Sequence, residues 1–88
     1  MNTNFNKKFF KDLSNVPSKE RERIEEFVFN ELTCYNSIQE VGKVEKLKGY
    51  DNYYKIRFGN YRVGLKYENN FVTLERVLHR REIYKLFP

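Results

Sequence analysis

The feature that most constrains the fold is a period-two alternation of apolar and polar side chains from residue 53 to residue 78. The alternation is interrupted at Gly59-Asn60 and Asn69-Asn70, and both residue types tolerate the left-handed backbone of tight hairpins. The run therefore predicts three consecutive antiparallel strands, "YYKIRF", "YRVGLKYE" and "FVTLERVL". The third strand is apolar on both sides, which is typical of a strand in the middle of a sheet.

Two helical segments precede these strands. Phe5, Phe9 and Leu13 recur every four residues and predict a short helix over roughly residues 5–14. Pro17 ends this helix and suits the first turn of the next one. The apolar stripe of the second helix consists of Ile24, Phe27, Val28 and Leu32.

The order of these segments predicts the fold class. Residues 33–52 have no clean period and are interpreted as a connection. The order helix, helix, strand, strand, strand predicts an α+β fold, with an N-terminal helical hairpin packed on one face of a small antiparallel sheet. A chain of 88 residues forms one such domain, residues 1–88.

The alternation also separates the core from a cationic surface. We expect four apolar strand residues to face the helices: Ile56, Phe58, Val63 and Leu65. Four cations then share the opposite, uncovered face: Lys55, Arg57, Arg62 and Lys66. Like charges on neighbouring strands lie about 5 Å apart and repel one another until a polyanion binds. Gly64 on the same face is expected to leave a gap that lets a ligand approach closely.

The positive charge of the chain is concentrated in its second half. Residues 1–42 carry 6 Lys/Arg against 7 Asp/Glu, whereas residues 43–88 carry 11 against 5. This asymmetry favours a polyanionic partner, with nucleic acid first and an acidic protein second. A solubilising surface charge is the alternative interpretation.

Composition excludes several kinds of site. A single His and a single Cys, Cys34, cannot form a usual structural zinc site or an intrachain disulfide. The acids of the second half are not closely paired, so a two-metal nuclease centre lacks ligands, and no Gly-rich phosphate loop is present. The chain has no apolar run typical of a signal peptide or a membrane span. We therefore expect a cytoplasmic protein with no metal and no other cofactor.

A second group of functional side chains follows the third strand. These residues are expected to bend back over the cationic face: His79, Arg80, Arg81 and Tyr84. Arg binds phosphate through two donors and stabilises a pentacoordinate phosphorus, Tyr stacks on bases, and His and Lys exchange protons. RNA carries its own nucleophile, the 2′-hydroxyl. A metal-free nuclease acting on RNA is thus the simplest enzyme compatible with the residues.

The segment "KLKGYDNYYKIRFGNYRVGLKY", followed by "HRREIYK", resembles the RelE/ParE superfamily of bacterial and archaeal type II toxins. The likeness covers residues 46–85 and is closest in pattern to the RelE-like mRNA interferases. It implies a helical hairpin on a curved antiparallel sheet and a cognate antitoxin that blocks the basic face. It also implies ribosome-dependent cleavage of mRNA by 2′-hydroxyl attack, which leaves a 2′,3′-cyclic phosphate.

The resemblance implies a role for each matching residue. Lys55 matches a strand Lys near the scissile phosphate, and Arg57 matches a second basic position that is often Lys. Arg62 matches the phosphate-stabilising Arg, Arg80 the catalytic Arg after the last strand, and Tyr84 the Tyr that stacks on the base. Further RNA contacts are predicted from Lys66, His79 and Arg81.

Two departures from the family pattern affect these roles. Because an Arg side chain stays protonated in proteins, Arg57 is a poor proton shuttle, and this duty moves to Lys55, His79 or Tyr84. The spacing from Arg80 to Tyr84 is shorter than in the best-studied ribosome-dependent members, which leaves both Arg80 and Arg81 as candidates for the active-site Arg. The alternative functions are a ParE-like toxin that binds DNA gyrase without nuclease activity and a non-toxic binding module.

Overall fold

The computed structural model describes every residue from Met1 to Pro88. Its main elements are β1 (Asn2–Phe5), α1 (Lys7–Leu13), α2 (Ser18–Glu26), β2 (Val44–Lys46), β3 (Tyr53–Phe58), β4 (Tyr61–Glu68), β5 (Phe71–His79) and α3 (Ile83–Leu86). A π-helical turn (Phe27–Glu31) and two 3-10 turns (Leu32–Cys34 and Ile38–Glu40) lie between α2 and β2. The α+β class is confirmed. None of the helices has the length and apolar character needed to cross a membrane.

All strands join one sheet in the order β1-β5-β4-β3-β2. The neighbours from β2 to β5 are antiparallel, whereas β1 runs parallel to β5. The three predicted strands and both turns are confirmed, and Gly59, Asn69 and Asn70 have the positive φ angles that tight hairpins require. Strand β5 lies between β1 and β4, as its apolar character on both sides predicted.

The N-terminal helical hairpin is not confirmed in the predicted form, because strand β1 precedes the helices. Phe5, which was predicted to start the helix, instead pairs with Leu74 of β5. Helix α1 begins one residue after Asn6, whose side chain accepts a hydrogen bond from the Lys8 amide at 2.9 Å and caps the helix. The sheet is therefore mixed rather than purely antiparallel.

The main core lies between the helices and one face of the sheet. The apolar stripe of the second helical segment is buried, with Ile24, Val28 and Leu32 each 0% exposed. The sheet residues predicted to face the helices are also no more than 2% exposed: Ile56, Phe58, Val63 and Leu65. They form one apolar cluster with Phe9 and Leu13 of α1, so the predicted assignment of faces is confirmed for β3 and β4.

The opposite face of the sheet is not bare, which corrects the expectation of an uncovered side. A second apolar cluster of Leu47, Leu78, Ile83 and Phe87 packs there, with Tyr53 at its margin. The expected gap above Gly64 is filled, because a Cβ atom at this position would lie 2.8 Å from the Phe87 ring. Helix α3 and Phe87 therefore cover the middle of this face.

Asp12 fixes helix α1 to strand β5. Its carboxylate accepts hydrogen bonds from Arg76 Nε at 2.7 Å and Nη2 at 3.2 Å, and from the Val77 amide at 3.0 Å. The pairing of β5 with β1 ends at Leu74. The Val77 amide therefore has no strand partner on that edge and bonds the Asp12 carboxylate instead. The hydrogen bond to Asp12 also raises the pKa of Arg76.

We predict that Asp12→Ala lowers the free energy of unfolding by about 2 kcal/mol, because Arg76 and the Val77 amide lose their acceptor in a largely buried place. Urea unfolding followed by circular dichroism measures the loss. The matched control is Asp51→Ala, which removes a 97% exposed carboxylate 3.7 Å from Lys46 and should have almost no effect. Equal losses in the two variants would contradict the structural role of Asp12.

Candidate functional site

Strands β3 and β4 place three cations near one another on the face opposite α1 and α2, and a fourth, Lys66, further along β4 over the Tyr53 ring. In the register of this pair Arg57 lies directly opposite Arg62, and Lys55 lies opposite Gly64. None of the three cations forms an ion pair with a carboxylate. Arg62 Nη1 instead donates to the carbonyl oxygens of Gly59 at 2.8 Å and Tyr61 at 3.1 Å, which turns its guanidinium toward the β3–β4 turn.

Arg80 follows β5 at the same turn. Its backbone amide donates to the Asn60 carbonyl at 2.8 Å, so the residue that follows β5 is held against the turn. The pKa of Arg62 is lowered, first by burial and then by the charges of Arg57 and Arg80. Arg57, Arg62 and Arg80 are called the arginine cluster below. Neighbouring arginines of this kind suit a phosphate group, which each guanidinium can bind through two donors.

Helix α3 brings Tyr84 to Lys55. Lys55 Nζ donates a hydrogen bond to the Tyr84 hydroxyl and lies 4.4 Å from the centroid of the Tyr84 ring. The segment after β5 thus bends back over the sheet, as the sequence predicted. Tyr84 remains 68% exposed, which leaves ring surface available for a ligand.

Three other predicted site residues do not join this group. Lys66 forms an ion pair with Glu68 at 3.2 Å, and this hydrogen bond raises the pKa of Lys66. His79 is paired with Tyr61, and their ring centroids are 5.5 Å apart. Arg81 is exposed, and its backbone amide donates to His79 Nδ1 at 3.2 Å.

The position of His79 follows from the strand register. Its partner Tyr61 alternates with Val63 on the side of the sheet that α1 and α2 cover. The His79 ring accordingly lines a cavity of about 230 Å³ together with Asp12 and Val16. His79 therefore lies on the other side of the sheet from Arg62.

Glu45 is a member of the site that the sequence analysis did not identify. It lies on β2 directly opposite Lys55, and its charge raises the pKa of Arg62 against the larger lowering effects. Its place depends on the pairing of a three-residue strand, for which the sequence has no periodic signal. Glu45 partly offsets the charge of the cationic face.

The rest of the structure contains no comparable group of side chains. No three His, Cys, Asp or Glu side chains lie close enough together to hold a metal ion. The largest cavity, about 610 Å³, lies beside α2 and is lined by residues of both charges around Phe27, Phe58 and Lys43. The arginine cluster with Lys55 and Tyr84 is therefore the candidate site.

We predict that Arg57→Gln raises the free energy of unfolding by roughly a few tenths of a kcal/mol at low salt, because it removes the like charge opposite Arg62. The gain should fade in 1 M salt, where the Debye length is about 3 Å. Urea unfolding at both salt concentrations measures it. Arg81→Gln is the control and should change little, so a destabilised Arg57→Gln variant would refute repulsion across this pair.

Comparisons with known proteins show which family this chain belongs to. Residues 4–84 match the family described as the ParE toxin of the type II toxin-antitoxin system, parDE. The chain is 44% identical over 85 residues to Toxin RelE3 of Methanocaldococcus jannaschii, covering 96% of each chain.

Solved structures agree with this match. The RelB-RelE antitoxin-toxin complex from Methanococcus jannaschii has a TM-score of 0.81 and 42% identity over 97% of this chain and 99% of that chain. The complex RelBE2 from Mycobacterium tuberculosis shares the fold with a TM-score of 0.68 and 22% identity over 90% and 96% of the two chains. The resemblance is confirmed, and the chain belongs to the RelE/ParE superfamily of type II toxins.

Proposed function

We propose that this toxin is a ribosome-dependent endoribonuclease that cleaves mRNA without a metal ion. The observation that supports the proposal is the placement of Arg57, Arg62 and Arg80 beside the β3–β4 turn, next to the strand that carries the Lys55–Tyr84 pair. Burial and repulsion both lower the pKa of Arg62, and the negative charge of a phosphate oxygen would counteract both effects. The 44% identity to Toxin RelE3 adds to this support.

The proposed reaction is an attack of the 2′-oxygen on the adjacent phosphorus. The new 2′-oxygen–phosphorus bond forms as the bond to the 5′-oxygen of the next nucleotide breaks, and a 2′,3′-cyclic phosphate results. One proton leaves the 2′-hydroxyl and one is delivered to the 5′-oxygen. Arg62 and Arg80 stabilise the negative charge that develops on the phosphoryl oxygens, and Arg57 holds the strand nearby.

Lys55 and Tyr84 are proposed to move the protons and to position the base. They share a hydrogen bond, so each can respond to a proton change at the other, and both face the arginine cluster's side of the sheet. His79 has no part in this proposal because it lies on the helix side. Arg80 is chosen over Arg81 because the Arg80 backbone is held against the β3–β4 turn beside Arg62, whereas the Arg81 amide bonds His79. The exposed Tyr84 ring can stack on an unpaired base.

A cognate antitoxin is the proposed protein partner. The relatives from Methanococcus jannaschii and Mycobacterium tuberculosis were each solved as toxin–antitoxin complexes. An acidic chain that covers the arginine cluster would compensate its charge and exclude RNA. The proposed place of action is the cytoplasm, where mRNA is translated.

We predict that Arg62→Ala combined with Arg80→Ala lowers the rate of cleavage of ribosome-bound mRNA by roughly 100-fold or more, because the developing charge loses its donors. Mapping of mRNA ends after addition of purified toxin to translating ribosomes measures the rate. The matched control, Lys19→Ala with Arg23→Ala, removes two exposed cations from α2 and should cleave normally. Full activity in the first variant would rule out the proposed site.

The chemistry makes a separate prediction about the RNA. Replacing the 2′-hydroxyl by hydrogen at the cleaved nucleotide alone should abolish the cut, whereas the same change one nucleotide downstream should not. The product should carry a 2′,3′-cyclic phosphate, and a chelator added only to the free toxin before mixing should not change the rate. Cleavage of the 2′-deoxy substrate would exclude attack by the 2′-oxygen.

The alternative function is inhibition of DNA gyrase without nuclease activity, which the ParE description of the matching family favours. Intact mRNA in the ribosome assay, together with loss of gyrase supercoiling activity at the same toxin concentration, would establish this alternative. Cut mRNA with unaffected supercoiling would exclude it.

A further inference from the structure

The Phe87 ring packs on Gly64, the one residue of β3 and β4 on the cationic face that has no side chain. This ring is 4% exposed and lies over Gly64, where even a methyl group would be 2.8 Å from the ring atoms Cδ2 and Cε2. The Tyr53 ring meets it edge-on at 5.7 Å between centroids. The Phe87 ring therefore occupies a fitted position against the backbone of β4, and this position depends on glycine.

The register connects this position to the candidate site. Gly64 lies directly opposite Lys55, so the Phe87 ring is a neighbour of the lysine that bonds Tyr84. Ile83 begins α3 and Phe87 directly follows it; both side chains belong to the apolar cluster on this face, and the Phe87 amide donates a hydrogen bond of 2.9 Å to the Ile83 carbonyl. Tyr84 follows Ile83 on the outward side and reaches Lys55.

The contact of Tyr84 with Lys55 is too weak to hold this arrangement alone. A helix of four residues has no stability of its own in water. An exposed hydrogen bond and cation–π contact add little. The burial of the Ile83 and Phe87 side chains is therefore the main interaction that orients α3.

We infer that Phe87, seated on Gly64, is a positioning residue that holds Tyr84 over Lys55. Its effect on cleavage rests on the proposed function, whereas its effect on the orientation of residue 84 does not. Losing the ring should free α3 and leave the arginine cluster in place, because those residues belong to β3, β4 and the turn after β5.

The orientation is tested with a fluorescent reporter. The chain has no Trp, so Tyr84→Trp introduces a single Trp that can be excited selectively over the remaining Tyr residues, and time-resolved anisotropy reports its local motion. In this background Phe87→Ala should increase the amplitude of fast motion. Leu86→Ala, which truncates a 48% exposed neighbour, should not. Equal mobility in the two variants would overturn the inference.

The fit to Gly64 gives an independent test. Gly64→Ala should mobilise the reporter because its methyl group displaces the Phe87 ring. Added to Phe87→Ala, it should have no further effect, since the two changes break one contact. Additive effects would overturn the inference. If Phe87→Ala fails to fold by circular dichroism, Gly64→Ala and Phe87→Leu replace it in the reporter assay, with Phe87→Leu expected to retain most of the ordered signal.

The functional consequence is measured with the natural Tyr84. Phe87→Ala should lower kcat for ribosome-bound mRNA by roughly 10- to 100-fold while KM changes little, because the cations that bind RNA are untouched. Phe87→Leu should restore most of the rate. Unchanged kcat in Phe87→Ala beside an active wild type would overturn the functional part. If the wild type itself does not cleave, the proposed function fails, and the anisotropy result still decides the positioning role.

Discussion

The site depends on one constraint, which is that the ladder between β3 and β4 holds Arg57 directly opposite Arg62. On the other side of the same strands, Ile56 and Val63 are paired and fully buried. A slip of one residue would turn these apolar side chains to solvent. The core thus imposes a register that the two arginines alone would not adopt, because like charges at this distance repel. The result is a surface that an anion stabilises.

Helix α3 and Phe87 give this charged surface an apolar centre. The apolar cluster of Leu78, Ile83 and Phe87 covers the middle of the face, so the cations lie around a covered centre. Arg62 Nη1 is already held by the carbonyl oxygens of Gly59 and Tyr61. A phosphate oxygen that approaches this face therefore meets a guanidinium whose orientation is already fixed.

The sequence predicted the long elements because their signals are local. Alternation and turn residues specified β3 and β4 to the residue and β5 to within one. Strands β1 and β2 and helix α3 have only three or four residues each. They depend on partners distant in sequence, and segments this short show no periodic pattern of apolar residues. The sequence analysis placed His79 with the cations because it could not foresee the β-bulge opposite Gly64/Leu65. This bulge shifts the alternation of β5 and turns His79 to the helix side. The predicted gap at Gly64 is filled by Phe87. The position of Phe87 depends on how the segment after β5 folds back, and apolar periodicity gives no information about this.

The fold alone does not choose between the targets of such toxins, because one fold can carry different functional sites. The choice must come from the side chains on the cationic face. Here Arg57, Arg62 and Arg80 all lie beside one turn, and the exposed Tyr84 ring lies beside Lys55 on the same face. A phosphate next to an unstacked base presents a point charge beside a flat apolar surface. A broad acidic protein surface lacks this combination, and so the arrangement favours single-stranded RNA as the ligand.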